Sequence, residues 1–420
     1  MLVVMYARKQ LDLSYRDLGA ALAFCLRPGW KRRLLESDLE RLWSDKNDAV
    51  AALSVRTAFD AWLTAINLPR GSEVIASGIN IPDMARILEH HDLKIVPLDL
   101  NLQTLEIRAD ELQEAITPKT RIVLVAHLFG ARMEMDPIFE ITDQYPQILV
   151  AEDCAQAFSG TDDYRGHDKS DISLFSFGSI KTATAFGGAM CRLRDNDQRK
   201  ALHKIMGRNK SQSVGYFAKK ALKYGCIMTL TQRWTYSLFV QACRLTGINF
   251  DKLIVSAIRG FKGNNLIQLL RQQPALPQLA LLRRRLRHYR LAHLDGRCHA
   301  GNHLNHQLPA SLRSAGFRNP HHTWWLFPVS VKNKFALVQE LQSIGFDATA
   351  SSSQLCAMTG ANDPTPKCTD FMEGAVFLPV YGSVPDQSLD RMATVLRNHQ
   401  ANPTPVPVNE PELASMALGK

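Results

Sequence analysis

The sequence is sparing with cysteine. Its 420 residues hold eight, at positions 25, 154, 191, 226, 243, 298, 356 and 368, and no two form a CxxC pair. That excludes a zinc knuckle and a thioredoxin-like motif, and it favours reduced thiols over a disulfide framework. No 18-residue window is both apolar and uncharged, so no spanning helix is expected. The apolar run in the opening MLVVMYARKQ is too short for a secretory signal. A cytoplasmic location is the expectation, with the inner face of the membrane as a variant of it. Internal repeats are absent, and neither the 20 Pro nor the 24 Gly stand out. With 45% apolar and 21% charged residues, a collagen, a coiled coil and a wholly disordered chain are excluded, and two or three domains are expected.

Acidic charge is short relative to basic: 40 Asp+Glu against 50 Lys+Arg leave a formal +10. Much of the surplus sits in LLRRRLRHYRLAHLDGR (281–297), with Arg283, Arg284, Arg285, Arg287, Arg290 and Arg297. One reading is a solvated helix face, since Leu282, Leu286 and Leu291 recur at helical spacing. The other is a surface for an anionic substrate or lipid, or for nucleic acid. Aromatics do not interleave there in the way a single-strand binder would have them and no helix-turn-helix is visible, so a nucleic-acid partner is not expected.

Patterning divides the chain. Residues 1–50 read as an N-terminal helical segment, in which Ser37 and Glu40 of SDLERLWSD have capping-box spacing and mark a helix start. Residues 51–200 alternate helical stretches with short apolar runs: EVIAS (73–77), KIVPLDL (94–100), RIVLVAH (121–127), QILVAED (147–153) and SLFSF (173–177). Such runs are strands buried on both faces, and their alternation with helices predicts an α/β domain with right-handed crossovers. Ligands of such sheets lie beyond the carboxyl ends of the strands, so His127, Asp153 and Ser176 should converge. Residues 201–270 read as a helical insertion, either packed on the body or a dimer interface, or lying on a membrane through Trp234, Tyr236 and Phe239 beside Lys219, Lys220, Lys223 and Arg233. Residues 271–400 read as a small C-terminal domain. In it TWWLFPVSV and AVFLPVY are strands, while KFALVQELQSIG and PDQSLDRMATVLRNH are helices. The Pro-rich 401–420 reads as a disordered tail.

Four pieces carry chemistry. AEDCAQAFSG ends a strand in Glu152-Asp153, and a buried carboxylate there calls for a cation. LFSFGSIKTATAFGGA places Ser176 at a strand end and Lys181 five residues on, before a glycine pair; a lysine so held has its pKa depressed and becomes an amine nucleophile. SVRTAFDAWL sets Thr57 at a helix start, a natural phosphate site. VAHLFG sets His127 at a strand end.

The stretch Ser54–Cys191 resembles the DegT/DnrJ/StrS family of pyridoxal-phosphate aminotransferases, on GSEVI, PLDLNLQTLEI, AITPKTRIVLVAHLFG, VAEDCAQAFSG and SDISLFSFGSIKTATAFGGA. The resemblance implies a fold-type I transferase: a mostly parallel, seven-stranded-type sheet between helices, with the small domain after it. It implies pyridoxal 5′-phosphate, with Lys181 as covalent anchor and proton shuttle, Asp153 on the pyridine nitrogen, Gln156 on the ring hydroxyl, and Ser176 and Thr57 on the phosphate. Arg56 stands where a glycine is usual, either reaching the phosphate or pointing away. With His127 these form the expected site, and no metal is expected in it. The implied reaction moves an amino group from an amino acid, glutamate by resemblance, to a keto or aldehyde group of a sugar-like acceptor, in polysaccharide or secondary-metabolite synthesis, by a homodimer. Two rivals remain: elimination or epimerisation on the same scaffold, and a non-catalytic regulatory or membrane-associated member. Departures from the family pattern lie at SGINIPDM, where Ile81 or a neighbour stands in place of a stacking aromatic, and at Asn264-Asn265, which sit too far ahead of Arg271 for the segment that reaches the partner's phosphate.

Overall fold

The computed structural model describes residues 4–27, 29, 31–251, 253–254, 265–350, 355–360 and 365–401. The predicted tail, Asn264 and part of the insertion lie outside the described residues.

The centre is a seven-stranded sheet. Its strands are β1 (Ala49–Ala52), β2 (Glu73–Ser77), β3 (Lys94–Leu98), β4 (Thr120–Ala126), β5 (Leu149–Asp153), β6 (Ile172–Ser176) and β7 (Ala189–Leu193), in the order β1-β7-β6-β5-β4-β2-β3. All five apolar runs named from sequence are strands of it. The neighbours from β3 through β6 pair in parallel, and β7 runs antiparallel to both β6 and β1. AVAA and AMCRL, which form β1 and β7, are not legible as strands because they are short runs with little β-branching.

Alternation along the strands divides two cores. Ala49, Ala51, Phe175 and Met190 face one layer, with helices α1 (Tyr15–Leu26) and α2 (Arg32–Trp43). Val50, Ala52, Leu174 and Cys191 face the other, with α3 (Val55–Ile66), α4 (Pro82–His90) and α7 (Asn196–Gly207); between α4 and α7 the chain forms α5 (Ala109–Ala115) and α6 (Asp136–Thr142). This two-sided burial is why the strands are nearly all apolar. Helix α3 has Ser54 as its N-cap, whose Oγ accepts from Thr57 N–H at 3.1 Å, and Asn67 in the left-handed region at its C-cap.

Three expectations need correction. The capping box of the N-terminal region is Ser14–Asp17 at the start of α1; α2 already begins at Arg32, so Ser37 is inside it. Serine at that spacing is common, and the helix starts earlier on its Leu34, Leu35 and Leu39 pattern. The residues before α1 are extended rather than helical. They cross to the C-terminal layer, where Tyr6 N–H donates to Gly345 O at 2.8 Å and Arg8 Nε pairs with Asp347 at 2.8 Å. The Arg-rich stretch spans the end of one helix, a turn and the start of the next rather than one solvated face.

After α7 come α8 (Val214–Leu230), α9 (Arg233–Leu245), α10 (Leu276–Arg287) and α11 (Leu291–Gln307). Three arginines of α10 meet carboxylates: Arg283–Asp38 at 2.7 Å, Arg284–Asp17 at 2.9 Å, and buried Arg285 with both Asp12 (3.1 Å) and Asp17 (2.9 Å). Those charges staple the N-terminal segment to α10. Helix α8 packs on α1 and α10, burying Phe217, Ala221, Tyr224 and Met228, with Tyr224 stacked on Phe186 at 5.3 Å. The aromatics of α9 part company: Trp234 is 67% exposed, whereas Tyr236 is buried on Asp347. No helix among the described residues is long and apolar enough to cross a membrane. A two-stranded sheet, β8 (Phe327–Ser330) and β9 (Ala375–Leu378), with α12 (Lys334–Ser343), α13 (Pro366–Gly374) and α14 (Asp386–Ala401), completes the fold.

Candidate active site

Because β4, β5 and β6 run parallel in register, with Ala126 opposite Asp153 and Asp153 opposite Leu174, their carboxyl ends open on one crevice. The sheet period then separates Glu152 from its neighbour. Glu152 is fully buried and accepts from His127 Nε2 (2.9 Å), His167 N (2.8 Å), Ser173 Oγ (3.1 Å), Ser170 Oγ and Tyr164 Oη. Burial alone would raise its pKa, but His127 and these donors hold it down at about 2. Met133 N–H donates to His127 Nδ1 at 2.9 Å, so Nε2 carries the proton. Both nitrogens of His127 are therefore used, and it offers a ligand only its ring face and its hold on Glu152.

Asp153 points the other way. Its Oδ1 accepts from Ala155 N–H at 3.1 Å, and burial raises its pKa against the pull of Lys181. Burial pushes Lys181 down to about 7, with Asp153 restraining the shift and Arg56 adding to it. No ion pair within 4.0 Å joins the two, yet each responds to the other's charge. Burial and this mutual influence put an amine and a carboxylate near one another at the carboxyl end of the sheet. Lys181 Nζ also sits 3.9 Å from the centroid of the Trp325 ring, whose Nε1 donates to Ile180 O at 3.2 Å. Lys9 Nζ lies 4.3 Å from the same ring.

Gln156 is buried, and its Oε1 accepts from Phe129 N–H at 2.8 Å, which leaves its NH2 as the donor it can offer. Ser176 Oγ accepts from Gly178 N–H at 3.3 Å and keeps its hydroxyl proton. Thr57 is more constrained than its sequence position implied: its Oγ1 donates to Leu270 O at 2.9 Å and its N–H to Ser54. Arg56 Nη1 pairs with Asp83 of α4. Of the first-turn N–H groups of α3, that of Thr57 is taken by Ser54, and those of Val55 and Arg56, for which the helix itself supplies no acceptor, face any anion placed there.

The residues present fit pyridoxal phosphate in kind. A lysine with a lowered pKa, a buried carboxylate, an amide donor and a helix N-terminus belong to the carboxyl end of the sheet and the segments beside it, with Lys181, Asp153 and Arg56 within reach of one another's charge. Trp325 and Lys9 are additions that sequence reasoning misses. Trp325 sits in a stretch that reads as a strand, and Lys9 in one that reads as helix.

Beside Trp325 a cavity of about 430 Å³ is lined by Lys9, Asp12, His293, Arg297 and Tyr381, among others. Arg297 donates to Thr323 O (2.6 Å) and Thr182 Oγ1 (3.1 Å), while its Nη2 and the Tyr381 hydroxyl are buried with no partner among the described residues. Two groups among the described residues have ligating atoms close enough for a metal: His127, Glu152 and Cys154, where the imidazole is already bonded at both nitrogens, and the surface group His299, His303 and Asp386.

The comparisons with known proteins agree with this geometry. GDP-perosamine synthase of Caulobacter vibrioides is 29% identical over 172 residues, 40% of this chain and 46% of that protein, so the match spans less than half of the relative's length. Among solved structures, Spr1654 of Streptococcus pneumoniae in its PMP-form superposes with a TM-score of 0.67 at 16% identity, covering 94% of this chain and 98% of that one. Sugar aminotransferase CalS13 of Micromonospora echinospora gives 0.64 at 17%, covering 95% of this chain and 100% of that one. At such identities these establish the fold. The pattern of one family extends over residues 23–232, half of the chain, and takes in Thr57, Asp153, Gln156, Ser176 and Lys181 together. This chain belongs to the DegT/DnrJ/EryC1/StrS aminotransferase family.

Proposed function

We propose that the protein is a pyridoxal-phosphate-dependent aminotransferase that takes an amino group from an amino acid, glutamate being the expected donor, and delivers it to a keto or aldehyde carbon of a sugar-like acceptor. The observation that carries this reading is the placement of buried Asp153 at the carboxyl end of its strand and of Lys181 on the loop five residues after Ser176 at the end of the next, each within reach of the other's charge. When bound, the cofactor's protonated pyridine ring draws electrons from the carbon whose amino group is moving. Asp153 would hold the proton on that ring nitrogen. Gln156 would donate to the ring oxygen and fix the ring's rotation. Lys181, with a pKa near neutrality, is suited both to anchor the cofactor and, once displaced, to carry a proton to and from the reacting carbon.

Relatives named as a perosamine synthase and as sugar aminotransferases support a sugar acceptor. The cavity beside Trp325 is where we place it, with Lys9 and Arg297 meeting an anionic part of that molecule. The family also implies a homodimer. A lesser reading adds peripheral membrane contact through 215–262, part of which lies outside the described residues, on the exposed Trp234, Leu238 and Leu245; flotation with anionic vesicles tests it.

The test of the main reading is direct. Purified protein with pyridoxal phosphate should show an absorbance band that glutamate shifts, with one 2-oxoglutarate released per site. Lys181→Ala should abolish covalent retention of the cofactor. Release of ammonia in place of 2-oxoglutarate would favour elimination, and a Lys181→Ala variant that keeps covalent cofactor would overturn the assignment of the lysine.

A further inference from the structure

Gly187 lies between the Lys181 loop and β7, with φ +152°. Its N–H donates to Phe177 O at 3.0 Å, and that of Gly188 donates to Leu53 O at 2.9 Å, which sets the pair beside Ser54, the N-cap of α3. A Cβ at Gly187 would stand 2.3 Å from Gln278 Nε2 and 3.3 Å from Lys220 Nζ. Two donors from different helices, Gln278 on α10 and Lys220 on α8, thus converge on one point that only a glycine leaves open.

Neither donor is spent. Gln278 is 1% exposed, and its Nε2 is buried with no partner among the described residues. Lys220 is half-buried and makes no hydrogen bond or ion pair among the described residues. Burial lowers its pKa to about 8, with Lys223 and Arg56 adding to the shift. Buried donors without acceptors cost free energy, and a native fold keeps such a set where an acceptor arrives. An ammonium, an amide NH2 and the N-terminus of the twelve-residue α3 all favour negative charge. Arg56, on the first turn of that helix, is close enough to act on the charge of both Lys181 and Lys220. Thr57 has donated both of its protons within the protein, so the phosphate needs other donors.

We propose that Lys220 and Gln278 hold the phosphate of the cofactor from within the same chain. This rests on the pyridoxal-phosphate reading above and assigns to helices α8 and α10 a part of the cofactor site. It also gives α8 a role beyond packing, since Phe217, Tyr224 and Met228 fix the helix on the core and Lys220, three residues after Phe217 and four before Tyr224, lies at the margin of that same face, toward the glycine pair.

The experiment compares pyridoxal 5′-phosphate with pyridoxal, which lacks only the phosphate, in binding to the cofactor-free protein followed by absorbance and tryptophan fluorescence. Wild type should prefer the phosphate form strongly. In Lys220→Met that preference should fall roughly tenfold or more with pyridoxal affinity unchanged, as expected for a lost charge-assisted contact. Gln278→Glu, which turns a donor into a carboxylate, should lower the preference as well, and Lys219→Met, an exposed neighbour, should leave it intact. Circular dichroism of each variant establishes folding. An unchanged preference in folded Lys220→Met and Gln278→Glu overturns the proposal while leaving the cofactor reading in place. Failure of wild type to bind either compound overturns the cofactor reading itself. Unchanged preference together with weakened binding of uridine diphosphate to the loaded protein would place the anion on the acceptor instead, and would also overturn the proposal.

Discussion

Replacing Arg285 by methionine tests whether the basic helix is a structural staple or a free charged surface. The guanidinium donates to Asp17 Oδ2 (2.9 Å), to Asp12 Oδ1 (3.1 Å) and backbone O (2.6 Å), and to Thr184 O (3.2 Å), and it is 7% exposed. Methionine fills similar volume but leaves two largely buried carboxylates facing it. Removing one partner of a buried pair costs about 3–5 kcal/mol; because Arg284 still reaches Asp17 and His293 still reaches Asp12, the lower end, about 3 kcal/mol, is expected. The cost should depend on pH. Burial alone would raise the Asp12 pKa, but His293, Arg285 and Ala183 N–H hold it down at about 2. A carboxyl held below its unfolded value stabilises the fold above about pH 4, and that contribution is lost as pH falls through about 2. Without Arg285 the carboxyls move upward and take protons inside the folded state, so the difference from wild type should be largest near pH 8 and shrink below about pH 5. Urea unfolding followed by circular dichroism at pH 8 and pH 4.5 measures it. A difference under about 1 kcal/mol at pH 8 would refute the reasoning, as would one that does not change with pH. Asp12 also accepts from Ala183 N–H at 2.8 Å, two residues beyond Lys181, so faster cofactor release should accompany the loss of stability.

In cofactor-free protein, Lys181 should react with an amine-modifying reagent with a midpoint near pH 7, far below surface lysines; Asp153→Ala should lower it further, since that carboxylate supports the ammonium. Mapping the modified peptide across pH 6–10 checks this, and a midpoint above 9 would contradict it. Glu152→Gln puts an amide donor among five donors and should cost about 2–4 kcal/mol in thermal or urea unfolding, more than Tyr164→Phe, which removes only one of them. Gly166→Ala should be comparably harmful, because its Cβ would fall 1.9 Å from Ser173 Oγ at a φ of +96°; wild-type stability in that variant would show that the Glu152 hub can shift.

Much of the cofactor side was readable because it is local. EVIAS, RIVLVAH and QILVAED declare themselves as doubly buried strands, and a parallel sheet then obliges Asp153 and Ser176 to meet at one edge, with Lys181 five residues beyond. What failed to read was non-local. Arg283, Arg284 and Arg285 looked like a solvated face because their partners Asp38, Asp17 and Asp12 lie some 245 to 273 residues away. Trp325 reaches Lys181 from 144 residues further along the chain, and Lys9 reaches the same ring from the N-terminal segment.

The order of residues alone determined five of the seven central strands and put positions 153 and 176 at strand ends with 181 just beyond, because burial on both faces and strand-end position need no knowledge of distant contacts. Only the tertiary structure decided that Glu152 is a hub and Asp153 the free acid of the pair, that the arginines of α10 are spent on the N-terminal segment, and that Lys220 and Gln278 face one glycine. Each of these is a matter of which donor meets which acceptor across packed layers, and that is fixed by the docking of whole helices rather than by any stretch of neighbouring residues.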